Sequence, residues 1–247
     1  MMDCNYMHML ARYVFRSTLL ILFLFTTQLK AQDWAVTNVS VLHGSGFKLG
    51  DRSMSTITID HARSWAYGDL FMFADLFNPT ENNSSEYGEF HPRFSWNKIT
   101  GNVIDTRFLN DISIAMEMEF GDSHNAYLYG VGFDLNVPEF NYFNVNIYVR
   151  DNPKRSGKTW QVTPYWQLPF TLGKSHWTFE GFVDISGTEG TTYRNTIFQP
   201  QLLLDVGELY GQSGVVKAGI EYAYWRNKYG VRGVHDGVTQ VMVKWSF

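Results

Sequence analysis

The chemistry-bearing side chains of this sequence fall into two groups, and histidine is the first. Beyond residue 31 there are six, His43, His61, His91, His124, His176 and His235, and any of them could act as a base or hold a metal. Their separations match no recurrent metal-ligand spacing, so neither a metal nor another cofactor is expected. His43-Gly44-Ser45-Gly46 falls short of the Gly-x-Ser-x-Gly nucleophile elbow, has no strand-to-helix pattern after it, and reads as a hairpin. Gly44-x-Gly46-x-x-x-Gly50 has the wrong spacing for a dinucleotide fingerprint. Asp60-His61 could serve a membrane-embedded hydrolase, but neighbouring residues of a strand point to opposite faces. No convergent nucleophile and base remain, and an enzyme is not expected. Asn82-Asn83-Ser84 matches a glycosylation sequon and reads as a polar loop tip.

The second group is made of acids, bases and aromatic rings on alternate positions. Asp69, Phe71, Phe73 and Asp75 share one parity, as do Thr56, Thr58 and Asp60, and again Glu89, His91, Arg93 and Ser95. Rings beside hydrogen-bonding groups suit a solute with a flat face and polar edges, the rings stacking on it while carboxylates take its hydroxyls. A blander reading is that Asp60, Glu89, Arg93 and Lys244 only neutralise one another inside a closed barrel, as side-chain layers do in small filled barrels. Spacing alone leaves both open.

The elements that must position these residues are strands. In Val238–Phe247, Val241, Val243, Trp245 and Phe247 oppose Gln240, Met242, Lys244 and Ser246, which is period two. Phe143, Val145, Ile147 and Val149 likewise oppose Asn144, Asn146, Tyr148 and Arg150. Ile112, Ile114, Met116 and Met118 oppose Ser113, Ala115, Glu117 and Glu119. About 12 such segments of roughly 8–12 residues centre near residues 38, 58, 72, 92, 115, 131, 146, 163, 181, 201, 220 and 242. Turn chemistry separates them at 49–51, 78–85, 98–102, 151–153 and 187–190. Strands of a soluble sandwich are usually about 5–6 residues long, so these segments point to a bilayer. Trp34, Trp65, Tyr67, Trp160, Trp166, Trp177, Tyr224, Trp225 and Trp245 sit toward strand ends, as interfacial girdles do. The expected fold is all-β, a 12-stranded antiparallel transmembrane barrel over residues 32–247. The final strand ends on Phe247, a feature of bacterial outer-membrane barrels, and offers a signal to the barrel-assembly machinery.

Composition agrees. Of 247 residues, 45% are hydrophobic, 17% aromatic and 18% charged, and mean hydropathy is −0.21. Disordered chains have few aromatics and a high net charge, and helical membrane bundles need several apolar runs of about 20 residues. The single apolar run, 19–25, follows Arg12 and Arg16 and precedes Ala31, so residues 1–31 read as a secretory signal peptide. That segment carries Arg12, Arg16 and Lys30 against Asp3, leaving 17 basic and 23 acidic side chains on residues 32–247. An acidic balance gives no support to nucleic-acid binding. The single cysteine, Cys4, lies within the signal, so no disulfide is expected in the exported chain.

In a membrane barrel the apolar face meets lipid and the polar face lines the lumen. The lumenal set then gains Glu117, Asp134, Tyr148, Arg150, Tyr165, Glu180, Phe182, Asp184, Gln199, Gln201, Lys217, Glu221 and Lys244. The same register turns Ile114, Val145, Ile147 and Val243 to lipid, and leaves Ser113 and Asn146 as lumenal positions where arginine is expected to cost little.

Two segments, 55–75 and 86–101, resemble the nucleoside-specific channel-forming Tsx family of outer-membrane proteins, which includes the OmpK-type members. The first holds Tyr67-Gly68-Asp69-Leu70-Phe71 running to Asp75, and the second holds Glu89-Phe90-His91-Pro92-Arg93-Phe94-Ser95. Weaker similarity continues through Leu128–Asp134 and Asn146–Tyr148 to the C-terminal aromatic residue. The resemblance implies a 12-stranded barrel in a Gram-negative outer membrane, passive substrate-preferring uptake of nucleosides, and often a role as phage or colicin receptor. It favours Phe71, Phe73, Asp75, Glu89 and Arg93 as lumenal residues. With Asp60, His91, Glu117, Tyr148, Arg150, Asp184 and Glu221 they form the expected solute-binding set. Phe71 and Phe73 are expected as successive rungs about 7 Å apart, with Arg93 holding Asp60, Asp75 and Glu89 in place. His91 stands where an acid is common in the enteric members, and the chain is shorter than theirs. The alternative function is a closed or general-diffusion barrel serving as a surface receptor or adhesin, with 81–86 as its platform.

Overall fold

The computed structural model describes residues 34–81, 84–104, 106–122 and 125–247. The expected signal peptide with Cys4, the tip residues Asn82 and Asn83, and His124 lie outside the described residues. Twelve strands follow one another: β1 (Ala35–Ser45), β2 (Ser53–Trp65), β3 (Gly68–Phe77), β4 (Ser85–Ser95), β5 (Leu109–Gly121), β6 (Asn125–Leu135), β7 (Tyr142–Asp151), β8 (Thr159–Leu172), β9 (Ser175–Ser186), β10 (Asn195–Asp205), β11 (Val216–Arg226) and β12 (His235–Ser246). Each is antiparallel to its sequence neighbours, and β12 closes on β1 from Asn38↔Ser246 to Gly44↔Gln240. The fold is a closed 12-stranded antiparallel barrel. Every expected strand centre falls inside one observed strand. Closure leaves no free sheet edge, so each strand has a hydrogen-bonded neighbour on both sides.

The two faces are inverted relative to a soluble protein. On β5, Ile114 is 61% exposed while Ser113 is 4% exposed and Ala115 is fully buried. Val41, Ile147, Val241 and Val243 are likewise exposed on the outside. Asp60 and His61 separate as alternation requires: Asp60 accepts from Asn38 Nδ2 at 2.6 Å on the inside, and His61 Nδ1 meets Thr37 Oγ1 at 2.9 Å on the outside.

Three local expectations differ. His43, Gly44 and Ser45 belong to β1 rather than to a hairpin, and the chain turns only from Gly46. Trp166 lies in mid-strand on β8, buried against Phe143, Phe179 and Phe198, and so is not part of a girdle. The turn at 98–102 begins as a short helix, α1 (Trp96–Thr100), because Ser95 Oγ accepts from Lys98 N at 3.1 Å and Gly101 takes a φ of 72° that suits glycine.

The interior around Ser113 and Asn146 is packed, which corrects the expectation that arginine is cheap there. Ser113 Oγ accepts from Arg93 Nε at 3.2 Å, and Asn146, 3% exposed, donates to Tyr148. A second guanidinium has no room beside the first. The outward positions keep their expectation: Ile114→Arg is expected to lower stability by about 2–4 kcal/mol near mid-barrel, read by denaturant unfolding in lipid vesicles. Loss below about 0.5 kcal/mol would discard lipid exposure of that face.

Candidate functional site

Register stacks the inward residues in rows across the strands. One row runs Phe71 and His91, then Glu117, 3.4 Å from the His91 ring, then Leu128 and Arg150, over β3 to β7; the next runs Phe73, Glu89, Glu119, Ala126. A third runs Asp69, Arg93, Ala115, Gly130, Tyr148, Gln161. All twelve expected site residues project into the lumen, although they do not form one cluster.

Phe71 and Phe73 face inward with ring centroids 5.9 Å apart, closer than strand spacing alone predicts because the rings lean toward each other. Phe71 also packs against the His91 ring at 5.6 Å, and Phe73 against Tyr87 at 6.0 Å. Phe71 is 38% exposed although it points inward, so the lumen beside it is open to water. Asp75 accepts from Thr58 at 2.5 Å and Asp60 from Asn38, while Tyr87 donates to Glu89 at 2.6 Å.

Arg93 does not hold those three acids. It crosses the barrel wall to Asp134 on β6 and Tyr165 on β8, with Asp69 at 3.7 Å. Gly132 makes that crossing possible: a Cβ there would lie 2.6 Å from Asn146 Oδ1, 2.8 Å from Ser113 Oγ and 3.4 Å from Arg93 Nε. Arg150 binds both carboxylate oxygens of Glu119 and reaches Gln161 Oε1 at 2.7 Å. Asp184 accepts from Thr163 at 2.5 Å and from Gln161 at 3.1 Å. Glu221 takes amide hydrogens from Gln201 and Gln240, and Lys244 pairs with Glu180 rather than with Glu89 or Asp60. Buried guanidinium–carboxylate pairs, each with further hydrogen bonds to neutral partners, keep these charges in place at low dielectric.

The barrel wall is therefore asymmetric. Mid-strand it is packed on β7 and β8, with Tyr148 and Gln161 each 2% exposed, whereas Phe71 on β3 and Tyr142 at the start of β7, 40% exposed, border open space. Sequence reasoning missed Tyr87, Glu119, Tyr142 and Gln161 as site neighbours, though their strand parity already placed them inside. It also missed an apolar inward group of Leu42, Leu203 and Met242.

A closed barrel with an apolar outer face and a charged, ring-bearing, water-accessible interior is the architecture of a porin-like channel. The chain belongs to the family of nucleoside-specific channel-forming proteins, Tsx, whose profile matches residues 31–244. No curated protein sequence matches it. Among solved structures it is similar to the KdgM porin, at 14% identity and a TM-score of 0.52, covering 85% of this chain and 99% of that one. The KdgM porin in complex with disordered oligogalacturonate gives 14% identity, a TM-score of 0.51 and the same coverage. At that identity the likeness establishes the fold alone.

Proposed function

We propose that this barrel sits in the Gram-negative outer membrane and passes nucleosides by passive, selective diffusion. The observation that carries the reading is the water-exposed Phe71 ring, set inward against Phe73 and His91, with Glu89 and Asp75 beside Phe73. A base can stack on a ring for about 1–3 kcal/mol, and neighbouring carboxylates can accept from ribose hydroxyls. Such repeated weak contacts select a solute and still release it. Family membership supports the same substrate class. The inward carboxylates Asp60, Asp69, Asp75, Glu89, Glu117, Glu119, Asp134, Glu180, Asp184 and Glu221 outnumber Arg93, Arg150, Lys217 and Lys244. This balance disfavours a polyanion such as the oligogalacturonate bound by the KdgM porin.

Swelling of liposomes holding the refolded barrel is expected to be faster with adenosine and thymidine than with glucose, and negligible with trigalacturonate. Equal rates for adenosine and glucose would sink nucleoside preference. The packed mid-strand interior around Tyr148 and Gln161 favours a second reading, a closed receptor barrel, and single-channel current separates the two because a closed barrel conducts nothing.

A further inference from the structure

Three inward side chains on β4 and β5 combine in a way the histidine spacing did not reveal. His91 and Glu117 face each other across these strands, between the pairs Phe90↔Met118 and Arg93↔Ala115, and Glu89 shares His91's face two residues earlier. His91 Nε2 lies 2.7 Å from Glu89 Oε2, and Nδ1 lies 3.4 Å from Glu117 Oε2. One donor atom from each residue lies within 4.8 Å of the other two. The side chains are 13%, 15% and 2% exposed for Glu89, His91 and Glu117.

Glu117 lies in the field of Glu89, Glu119 and Asp184, with Arg150 opposing them. Arg150 binds Glu119 through both terminal nitrogens, and the His91 ring lies between the Glu89 and Glu117 carboxylates.

We infer that Glu89, His91 and Glu117 form a lumenal site for a divalent transition-metal ion of the zinc class. An imidazole nitrogen with two carboxylate oxygens, and an open side toward lumenal water for the fourth position, is a donor set such ions take. Magnesium and calcium ask for six or more oxygens, which this set does not offer. Bonds of about 2.0–2.2 Å place donors roughly 3–3.5 Å apart, so an ion on Nε2 beside Glu89 requires the Glu117 carboxylate, which is nearest Nδ1 in the empty site, to swing toward that nitrogen. Outer contacts already orient the ligands. Tyr87 Oη donates to Glu89 Oε1 at 2.6 Å, leaving Oε2 for the ion, and Phe71 packs on the His91 ring.

The deciding experiment is equilibrium dialysis of the refolded, tag-free barrel against zinc chloride, with magnesium chloride as the hard-cation comparison. It reads binding, so its outcome does not depend on whether nucleosides pass. One zinc per barrel is expected, and His91→Asn and Glu117→Gln are each expected to weaken binding at least about 10- to 100-fold. Folding of each variant is checked by heat-modifiable gel migration. His176→Asn, at the exposed pair with Glu208, is expected to leave affinity unchanged. No zinc uptake by the wild type, retention of affinity in both folded lumenal variants, or equal affinity for magnesium would each overturn the site.

Discussion

The double variant Phe71→Ala, Phe73→Ala is expected to conduct more ions than the wild type and to lose most of the proposed preference for nucleosides over glucose. The two rings are adjacent, lean together at 5.9 Å and border the open part of the lumen. Removing them widens the passage, which raises ionic current whatever the rings do for solutes. Stacking is a separate effect. If the rings contribute about 1–3 kcal/mol of attraction to a base, and a hexose uses that attraction much less, the permeation ratio falls by roughly tenfold for each 1.4 kcal/mol lost. Single-channel current and liposome swelling on the same preparation separate the effects. Higher current with an unchanged ratio would mean that the rings only narrow the lumen. The lone substitution Phe73→Ala is expected to do less, because Phe71 keeps its contact with His91 and its exposure to the lumen.

Loss of the Arg93 guanidinium is expected to be the most damaging single change to stability. Arg93 is 3% exposed and bonded to Ser113, Asp134 and Tyr165, with Asp69 close by. Arg93→Met leaves the Asp134 and Asp69 carboxylates without their cation, and removing one partner of a buried pair typically costs about 3–5 kcal/mol. Urea unfolding in lipid vesicles measures the loss. Adding Asp134→Asn is expected to restore part of it, since a neutral amide suffers less from the missing charge. A single-variant loss below about 1 kcal/mol would show that water in the lumen solvates these acids and that the pair is not a structural tie. Arg93→Lys is no substitute, because an ammonium cannot serve Ser113, Asp134 and Tyr165 from one planar fork.

The same residues show how far local sequence reaches. Period-two alternation assigns each residue to a face, so Asp60 and His61 are separated and Glu117, Tyr148 and Arg150 are placed inside, because successive side chains of a strand must point to opposite sides. Strand number and centres follow from turn residues between alternating runs. Those features depend only on residues close in sequence. Partnerships across the lumen do not. Arg93 on β4 reaches Asp134 on β6 and Tyr165 on β8, and Lys244 on β12 reaches Glu180 on β9; none of these pairs lies on adjacent strands. Their meeting depends on the diameter and stagger of the closed barrel and on the gap left by Gly132. The Glu89, His91 and Glu117 group lies between these cases. Its pairing is set by the register of β4 and β5, but spacing rules for metal ligands consider one chain segment at a time and pass over donors that face each other across two strands. The sequence determined which way each side chain points, since that is local stereochemistry. Only the tertiary structure decided which of them touch, because contacts across a lumen are fixed by how the sheet closes.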